Sequence, residues 1–214
     1  EQGTESPYFQ RWFGEARVVD ADGKPLVVAH GGMDIEGEAE LLRKAGPGFF
    51  RASDRGALGR GIYFTPDFGR ARGYAMEFRS PDPEVGAAVT DVYLNIRNPL
   101  ILKGEGHPVI EAFVRLGKDR DTATRMVERI EGEHGYIGKE LQREAKKQGY
   151  DGIIQYDRAG ENISEIVAFE PTQIKSRSNR GTFEPTDKRV RYMRGPGKVP
   201  MGFFEWNPQT SRFI

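Results

Sequence analysis

The sequence predicts an α+β fold built on a mainly antiparallel sheet. Three observations predict it. Short apolar strands alternate with amphipathic helical stretches, the connections between them are hairpin-sized, and three strands each carry one polar residue in an apolar run. Those three are Leu26-Val-Val-Ala-His30-Gly31, Gly59-Arg-Gly61-Ile-Tyr63-Phe-Thr65 and Ser164-Glu165-Ile-Val-Ala-Phe169. They offer an imidazole, a phenol and a carboxylate from distant parts of the chain, and strands lying side by side would set these groups around one cleft.

The elements follow in order. Residues 6–14 are aromatic-rich and read as a short helix or turn. Val18-Val19, the Asp22-Gly23 turn and 26–29 read as a β-hairpin, and 35–44 as a helix. Residues 46–61 hold many glycines together with Arg51, Arg55 and Arg60 and read as a long loop. A loop of that length inside a domain is more often functional than idle. Residues 62–64 form a strand that hands over to a helix, with Thr65 as N-cap, Pro66 as first helical residue and Asp67 at the positive end of the dipole. In that helix Ala71, Tyr74, Ala75 and Phe78 fall at i, i+3, i+4 and i+7, which predicts one buried face and turns Tyr74 toward Tyr63. Strands are expected over 89–96, closed by Asn98-Pro99, and over 100–102. Asp121 is expected to cap a helix with the apolar stripe Ala123, Met126, Val127 and Ile130. A further helix covers 137–148 and stops at Gly149. The last strands are 152–156, 165–169 and 173–175. Beyond Ser176 the periodicity fades, and 179–214, rich in Gly, Pro, Arg and aromatics, reads as an extended tail.

At 214 residues the chain has room for one substantial domain. Its 32 basic and 32 acidic residues balance, so no global field draws it to nucleic acid or membrane. The absence of cysteine excludes disulfides, thiolate metal sites and cysteine nucleophiles. His30, His107 and His134 are far apart and lack metal-binding spacing, and His134 beside Glu131 and Glu133 reads as a solvated helix end. No run is long enough to span a bilayer and no signal peptide is seen. The chain begins at Glu1 rather than Met and reads as part of a longer polypeptide. There is no G-x-S-x-G elbow. Gly195-Pro-Gly197-Lys198 is followed by Val199 where a phosphate-binding loop needs Ser or Thr. The glycines 56, 59 and 61 precede a strand rather than joining a strand to a helix, unlike a dinucleotide-binding fingerprint.

What the three strands can bind is more informative. Gly31 and Gly32 after His30 would let a backbone turn approach a flat ligand and pair with a planar amide. Tyr63 and Tyr74 would sandwich an aromatic ring, worth about 0.5–1.5 kcal/mol beyond area burial. Glu165 shares a strand face with Val167 and Phe169, an awkward place for a charge without a partner or ligand. The loop arginines suit phosphate oxygens. An amide, an aromatic ring, a ribose and a pyrophosphate together describe NAD+.

At these residues the chain resembles a known family. Ala-His30-Gly31, Gly61-Ile-Tyr63-Phe64 and Ser164-Glu165-Ile-Val resemble the His-Tyr-Glu class of ADP-ribosyltransferases, which includes the poly(ADP-ribose) polymerases and diphtheria-toxin-like enzymes. The spacing from Tyr63-Phe64 to Ala71-Arg-Gly-Tyr74, and Glu165 to Phe169 followed by Gln173-Ile174, match the polymerase pattern. More similar still are the ADP-ribosyltransferase modules of phage and prophage polyvalent proteins. These share look-alikes of Ser6-Pro-Tyr-Phe-Gln-Arg-Trp-Phe-Gly, Asn95-Ile-Arg-Asn98-Pro99-Leu100, Gly149-Tyr-Asp-Gly-Ile-Ile154 and Asn179-Arg-Gly-Thr-Phe183. The resemblance runs over about residues 6–190 and implies an ADP-ribosyltransferase fold, a split, mainly antiparallel sheet with flanking helices and an NAD+ cleft. It implies a catalytic domain over 1–184 and an extended basic and aromatic tail over 185–214.

The resemblance further implies a mono-ADP-ribosyltransferase that takes NAD+ as co-substrate, releases nicotinamide and modifies a macromolecular acceptor. Such an enzyme would act as a soluble phage-delivered or toxin-type effector in a bacterial cytoplasm. His30 would bind ribose hydroxyls, the Gly31 backbone the carboxamide, and Tyr63 and Tyr74 the nicotinamide ring. Glu165 would stabilise the oxocarbenium-like transition state. Gly32, Arg51, Arg55, Gly61, Phe64 and Ala71 complete the expected cofactor-binding set, and no metal is expected. Gly32 stands where the family has Ser or Thr, and Ala71 where the polymerases often have a serine. Ile163 stands where arginine-directed relatives have Glu or Gln, so arginine as acceptor has no support. Residues 158–164 are the candidate acceptor-facing segment. Three other readings stay open: an NAD+ glycohydrolase, a non-catalytic NAD+-binding or structural module of a phage protein, and a nucleic-acid binder acting through the basic tail.

Overall fold

A computed structural model describes residues 3–33, 50, 52–77, 87–104, 106–177, 179, 183, 186, 206–207 and 212–213. The helix expected over 35–44, Arg51, Phe78 and most of the expected tail lie outside the described residues.

Two sheets make the core. Strands β1 (Val28–Met33), β3 (Ala87–Leu94) and β7 (Ile174–Ser176) form an antiparallel three-stranded sheet in the order β1-β3-β7. Strands β2 (Ile62–Phe64), β4 (Pro99–Leu102), β5 (Gly152–Tyr156) and β6 (Ile163–Ala168) form a second sheet in the order β2-β6-β5-β4. Its pairs are antiparallel except β4 with β5. Among the described residues, one antiparallel bridge, Ala29–Thr65, joins the sheets. This is the split, mostly antiparallel arrangement of the ADP-ribosyltransferase fold that the resemblance implies.

Strand alternation sorts the core into layers. Val28, Val92, Leu94 and Ile174 from the first sheet pack against Ile62, Phe64, Ile154 and Ile166 from the second. The other face of the second sheet, with Leu100, Leu102, Ile153 and Val167, is covered by three helices: α3 (Pro108–Arg115), α4 (Arg120–His134) and α5 (Glu140–Lys147). On the far side of the first sheet, Phe9, Trp12 and Phe13 of α1 (Pro7–Phe13) close around Phe183 and Tyr93. The aromatic opening and Phe183, 170 residues apart, are therefore one structural cluster; Phe9 and Phe183 meet edge-on at 5.2 Å.

Hydrogen bonds from side chains join the layers. Gln173 accepts from the backbone N–H groups of Phe169 and Glu170 and donates to the carbonyls of Asn95 and Asp151. Asp151 accepts from the backbone N–H groups of Arg97 and Asn98. The Asn95–Leu100 and Gly149–Ile154 motifs thus meet in space and hold the fold together.

Several expectations are corrected. Helix α2 spans Phe68–Glu77 and is capped by Asp67, whose Oδ1 accepts from Arg70 N–H at 3.0 Å, rather than by Thr65. The Thr65 hydroxyl donates to the Ser164 carbonyl at 3.0 Å and accepts from the Asp67 N–H at 3.1 Å, so it ties the approach to the helix to β6. Helix α4 starts two residues earlier than expected, with Asp119 rather than Asp121 as N-cap, accepting from Thr122 N–H. Helix α3 was not expected; its start at Pro108 is a first-turn proline, and Val109, Ala112 and Phe113 are its buried face. Strand β6 begins at Ile163, placing Glu165 inside it opposite Gln155. The early hairpin is reduced to one bridge, Val19–Pro25, around Gly23 at φ +77°. A two-stranded ribbon, β8 (Trp206–Asn207) with β9 (Arg212–Phe213), lies in the expected tail. No described helix is long and apolar enough to cross a membrane.

Candidate functional site

The candidate site begins where the two sheets part. The backbone N–H and C=O of Thr65 both bond to Ala29, so by alternation the carbonyl of Tyr63, two residues back, points toward the same edge. Strand β1 has turned away by then. The His30 imidazole takes the vacant bond instead, its Nδ1 at 2.7 Å from Tyr63 O. A carbonyl only accepts, so Nδ1 carries the proton and Nε2 presents a lone pair. Burial lowers the His30 pKa below its ordinary value, with the bond to Tyr63 acting weakly the other way, which keeps the ring neutral at pH 7. The rings of Phe50, at 4.8 Å, and Phe64, at 5.5 Å, wedge it in place.

The glycines after His30 act differently from expectation. They continue β1, opposite Val89 and Ala88, and do not form a turn. A Cβ on Gly31 would lie 1.9 Å from the Ala71 carbonyl oxygen, so the missing side chain lets α2 pack on the strand. A Cβ on Gly32 would lie 3.0 Å from His30 Nε2, so this glycine keeps the imidazole lone pair open.

Tyr63 lies next to Val167 in register, and alternation puts Glu165 on the same face of the sheet. The Tyr63 hydroxyl donates to the Gly59 carbonyl at 2.5 Å and accepts from Leu58 N–H at 3.0 Å. A Cβ on Gly56 would fall 2.0 Å from its ring. The loop over 56–59 therefore folds onto this tyrosine. Burial, then the nearby Glu165 charge, pushes the phenol pKa far up, so it stays protonated. Tyr63 is thus half-buried and holds a loop, whereas Tyr74 on α2 is 40% exposed and not part of a buried helix face. Ala71 and Ala75 form that face instead.

Glu165 is 8% exposed. Burial raises its pKa, and Arg70 opposes that shift. Arg70 is the residue the sequence reading missed. Its Nη2 is 3.7 Å from Glu165 Oε1, its Nη1 donates to the Ser164 carbonyl at 3.4 Å, and its Cζ is 5.8 Å from the centre of the Tyr74 ring. The available signal was the i, i+4 spacing of Arg70 and Tyr74 on the helix after Tyr63.

Tyr63, Tyr74, Arg70 and Glu165 thus form one cluster, and His30 joins it through the Tyr63 backbone. Phe64 and Ala71 are buried, and a Cβ on Gly61 would meet Val167 Cγ1 at 2.0 Å, so these three shape the site from behind. Arg55 is exposed with no described ion pair to the cluster, and Arg60 pairs with Asp54. Two concavities lie elsewhere. One of about 270 Å³ is lined by Ile130, His134 and Tyr136. Another of about 640 Å³ is lined by cations that are mostly engaged in ion pairs, such as Lys147 with Glu144 and Lys146 with Glu170. Among the described residues, the Glu165 cluster alone combines a buried carboxylate with converging polar groups, which makes it the candidate site. Among the described residues no group of three or more His, Asp or Glu side chains is arranged to hold a metal ion.

The family model for the ADP-ribosyltransferase in polyvalent proteins matches residues 20–183, about three-quarters of the chain. The chain belongs to this ADP-ribosyltransferase family. His30, Tyr63, Arg70, Tyr74 and Glu165 of this ADP-ribosyltransferase all fall inside the matched span, as does Phe183, while α1 precedes it. No curated protein and no solved structure matches the chain.

Proposed function

We propose that this ADP-ribosyltransferase is a mono-ADP-ribosyltransferase of the His-Tyr-Glu type that uses NAD+ as co-substrate and modifies a macromolecular acceptor. The single observation that carries the reading is the buried Glu165 carboxylate beside two tyrosines, on a strand whose neighbour's carbonyl fixes the His30 tautomer. The neutral imidazole would accept a ribose hydroxyl at Nε2, left open by Gly32. The nicotinamide ring would lie against the exposed Tyr74, with Tyr63 behind, and the Gly31 backbone would meet the carboxamide. Arg55 and Arg51 would reach the phosphates.

In the reaction the bond from ribose C1′ to the nicotinamide nitrogen breaks and its electron pair leaves with nicotinamide. The sugar gains oxocarbenium character, and Glu165 stabilises that charge more strongly than the ground state. An acceptor nucleophile then bonds to C1′ and loses its proton. The acceptor would approach over residues 158–164, at the turn from β5 into β6. Asp157 preorganises it by accepting from the backbone N–H groups of Glu161 and Asn162 and from the Asn162 side chain. The family's occurrence in polyvalent proteins supports a phage-delivered effector acting in a bacterial cytoplasm.

The test is incubation with labelled NAD+ and a bacterial lysate, followed by separation of labelled protein, labelled nucleic acid and free ADP-ribose. Label on a macromolecule supports transfer; free ADP-ribose alone would assign a glycohydrolase; no NAD+ consumption would reject the reading. Glu165→Gln is expected to lower turnover about 10²–10³-fold, the scale for removing a preorganised charge-stabilising group.

A further inference from the structure

The Glu165 carboxylate sits on β6, but the cation that faces it belongs to α2, 95 residues earlier in the chain. Four contacts define the place of that cation. Arg70 reaches Glu165 Oε1 at 3.7 Å and the Ser164 carbonyl at 3.4 Å, it stands 5.8 Å from the Tyr74 ring centre, and its own backbone N–H is tied to Asp67 Oδ1 at 3.0 Å. The guanidinium therefore spans two successive residues of β6 and the ring that would meet the nicotinamide. A planar, always-charged fork is suited to such a bridge, because it can satisfy a carboxylate and a carbonyl together.

We propose that Arg70 is the positioning residue for Glu165, fixing from α2 where the carboxylate points in the cleft and linking that orientation to the Tyr74 wall. The inference rests on the function proposed above and deepens it. The Glu165 side chain is 11% exposed while the Arg70 side chain is 42% exposed, so Arg70 lies at the rim and is hydrated on its outer side. It can therefore be removed without leaving a buried cavity. Among the described residues, Arg70 from α2 and Tyr63 from β2 act on Glu165, Tyr74 of α2 interacts with both Arg70 and Tyr63, and Gln155 opposite Glu165 on β5 is uncharged. Asp67 faces Arg70 from the start of α2. Arg70 is the one cation in this set, and it favours the ionised form of Glu165 against the effect of burial. Its loss moves the Glu165 titration to higher pH.

The experiment compares wild type, Arg70→Ala and Arg70→Lys in two measurements. One is the pH profile of NAD+ turnover. The other is the carboxyl titration of Glu165 by NMR, assigned with Glu165→Gln, which needs no activity. Arg70→Ala is expected to lower kcat roughly 10-fold, about 1.4 kcal/mol of barrier. It should also change the KM for NAD+ less than kcat and shift the acid limb and the carboxyl titration to higher pH together; Arg70→Lys restores both. An unshifted titration in Arg70→Ala overturns the proposal, and so does a rise in kcat, which would make Arg70 a competitor for the substrate's cationic ring. If wild type consumes no NAD+, the proposed function falls, and the carboxyl titration alone decides whether Arg70 governs Glu165.

Discussion

Two adjacent glycines in one strand carry opposite duties, and the difference is measurable. Gly31 faces the backbone of α2, so Gly31→Ala must push a helix off a strand; overpacking of this kind costs about 1–3 kcal/mol. Gly32 faces the His30 lone pair, so Gly32→Ala meets only the imidazole edge. The expected outcome is that Gly31→Ala lowers the urea midpoint markedly. Gly32→Ala should keep the midpoint and weaken NAD+ binding. Equal effects of both on stability would remove the special role of Gly32. Both glycines were legible as places needing close approach, since a glycine pair after His30 is conspicuous. Which neighbour approached was not legible, because the Ala71 carbonyl comes from a helix 40 residues further on.

The loop over 52–61 and strand β2 behave as one unit. Ser53 bridges Gly61, Leu58 is fully buried, and the Tyr63 hydroxyl joins Leu58 N–H to the Gly59 carbonyl. Tyr63→Phe leaves the Leu58 N–H without that partner, a loss of about 1–3 kcal/mol for a buried group. Hydrogen exchange at Leu58 and Gly59 should then quicken while the rest of β2 stays protected; unchanged exchange at both would mean the hydroxyl does not hold the loop. The sequence marked this loop as functional through its length and glycines. It assigned Tyr63 to ring stacking, because an aromatic in a strand carries no local sign that its hydroxyl will clasp a loop four to five residues upstream. Strand boundaries were legible where apolar alternation was clean, as at 152–156. They slipped by two residues at β6, where Ile163 and Ser164 extend the pairing beyond the apolar run.

Across the whole molecule, Glu165 and His30 set opposing pH effects on stability. Burial holds the folded pKa of Glu165 above its unfolded value of about 4.3. Its contribution is therefore fully present below that value and lost as pH rises through the folded pKa. His30 is depressed below about 6.5, so its contribution is present above that pH and lost as pH falls toward the folded pKa. Glu165→Gln, which lowers turnover, is therefore expected to raise Tm at pH 8 by about 2–4 °C for each 1 kcal/mol recovered in a domain of this size. The gain should shrink toward pH 4. A lower Tm at pH 8 would mean that the carboxylate is stabilising, and that its burial serves the fold.

Local chemistry was enough to determine the strands, most of the helices, the family resemblance and the identity of His30, Tyr63, Tyr74 and Glu165 as the residues of interest. Periodicity, capping residues and glycine placement act over a few residues and are written directly in the chain. Tertiary structure alone decided that Arg70 faces Glu165, that the Thr65 hydroxyl is tied to the Ser164 carbonyl, and that the His30 proton is held by a backbone carbonyl. Each of these depends on the register and divergence of strands 33 to 99 residues apart, which follow from packing two sheets against one core. No local pattern encodes that divergence, because the bond that His30 makes exists only where β1 leaves β2.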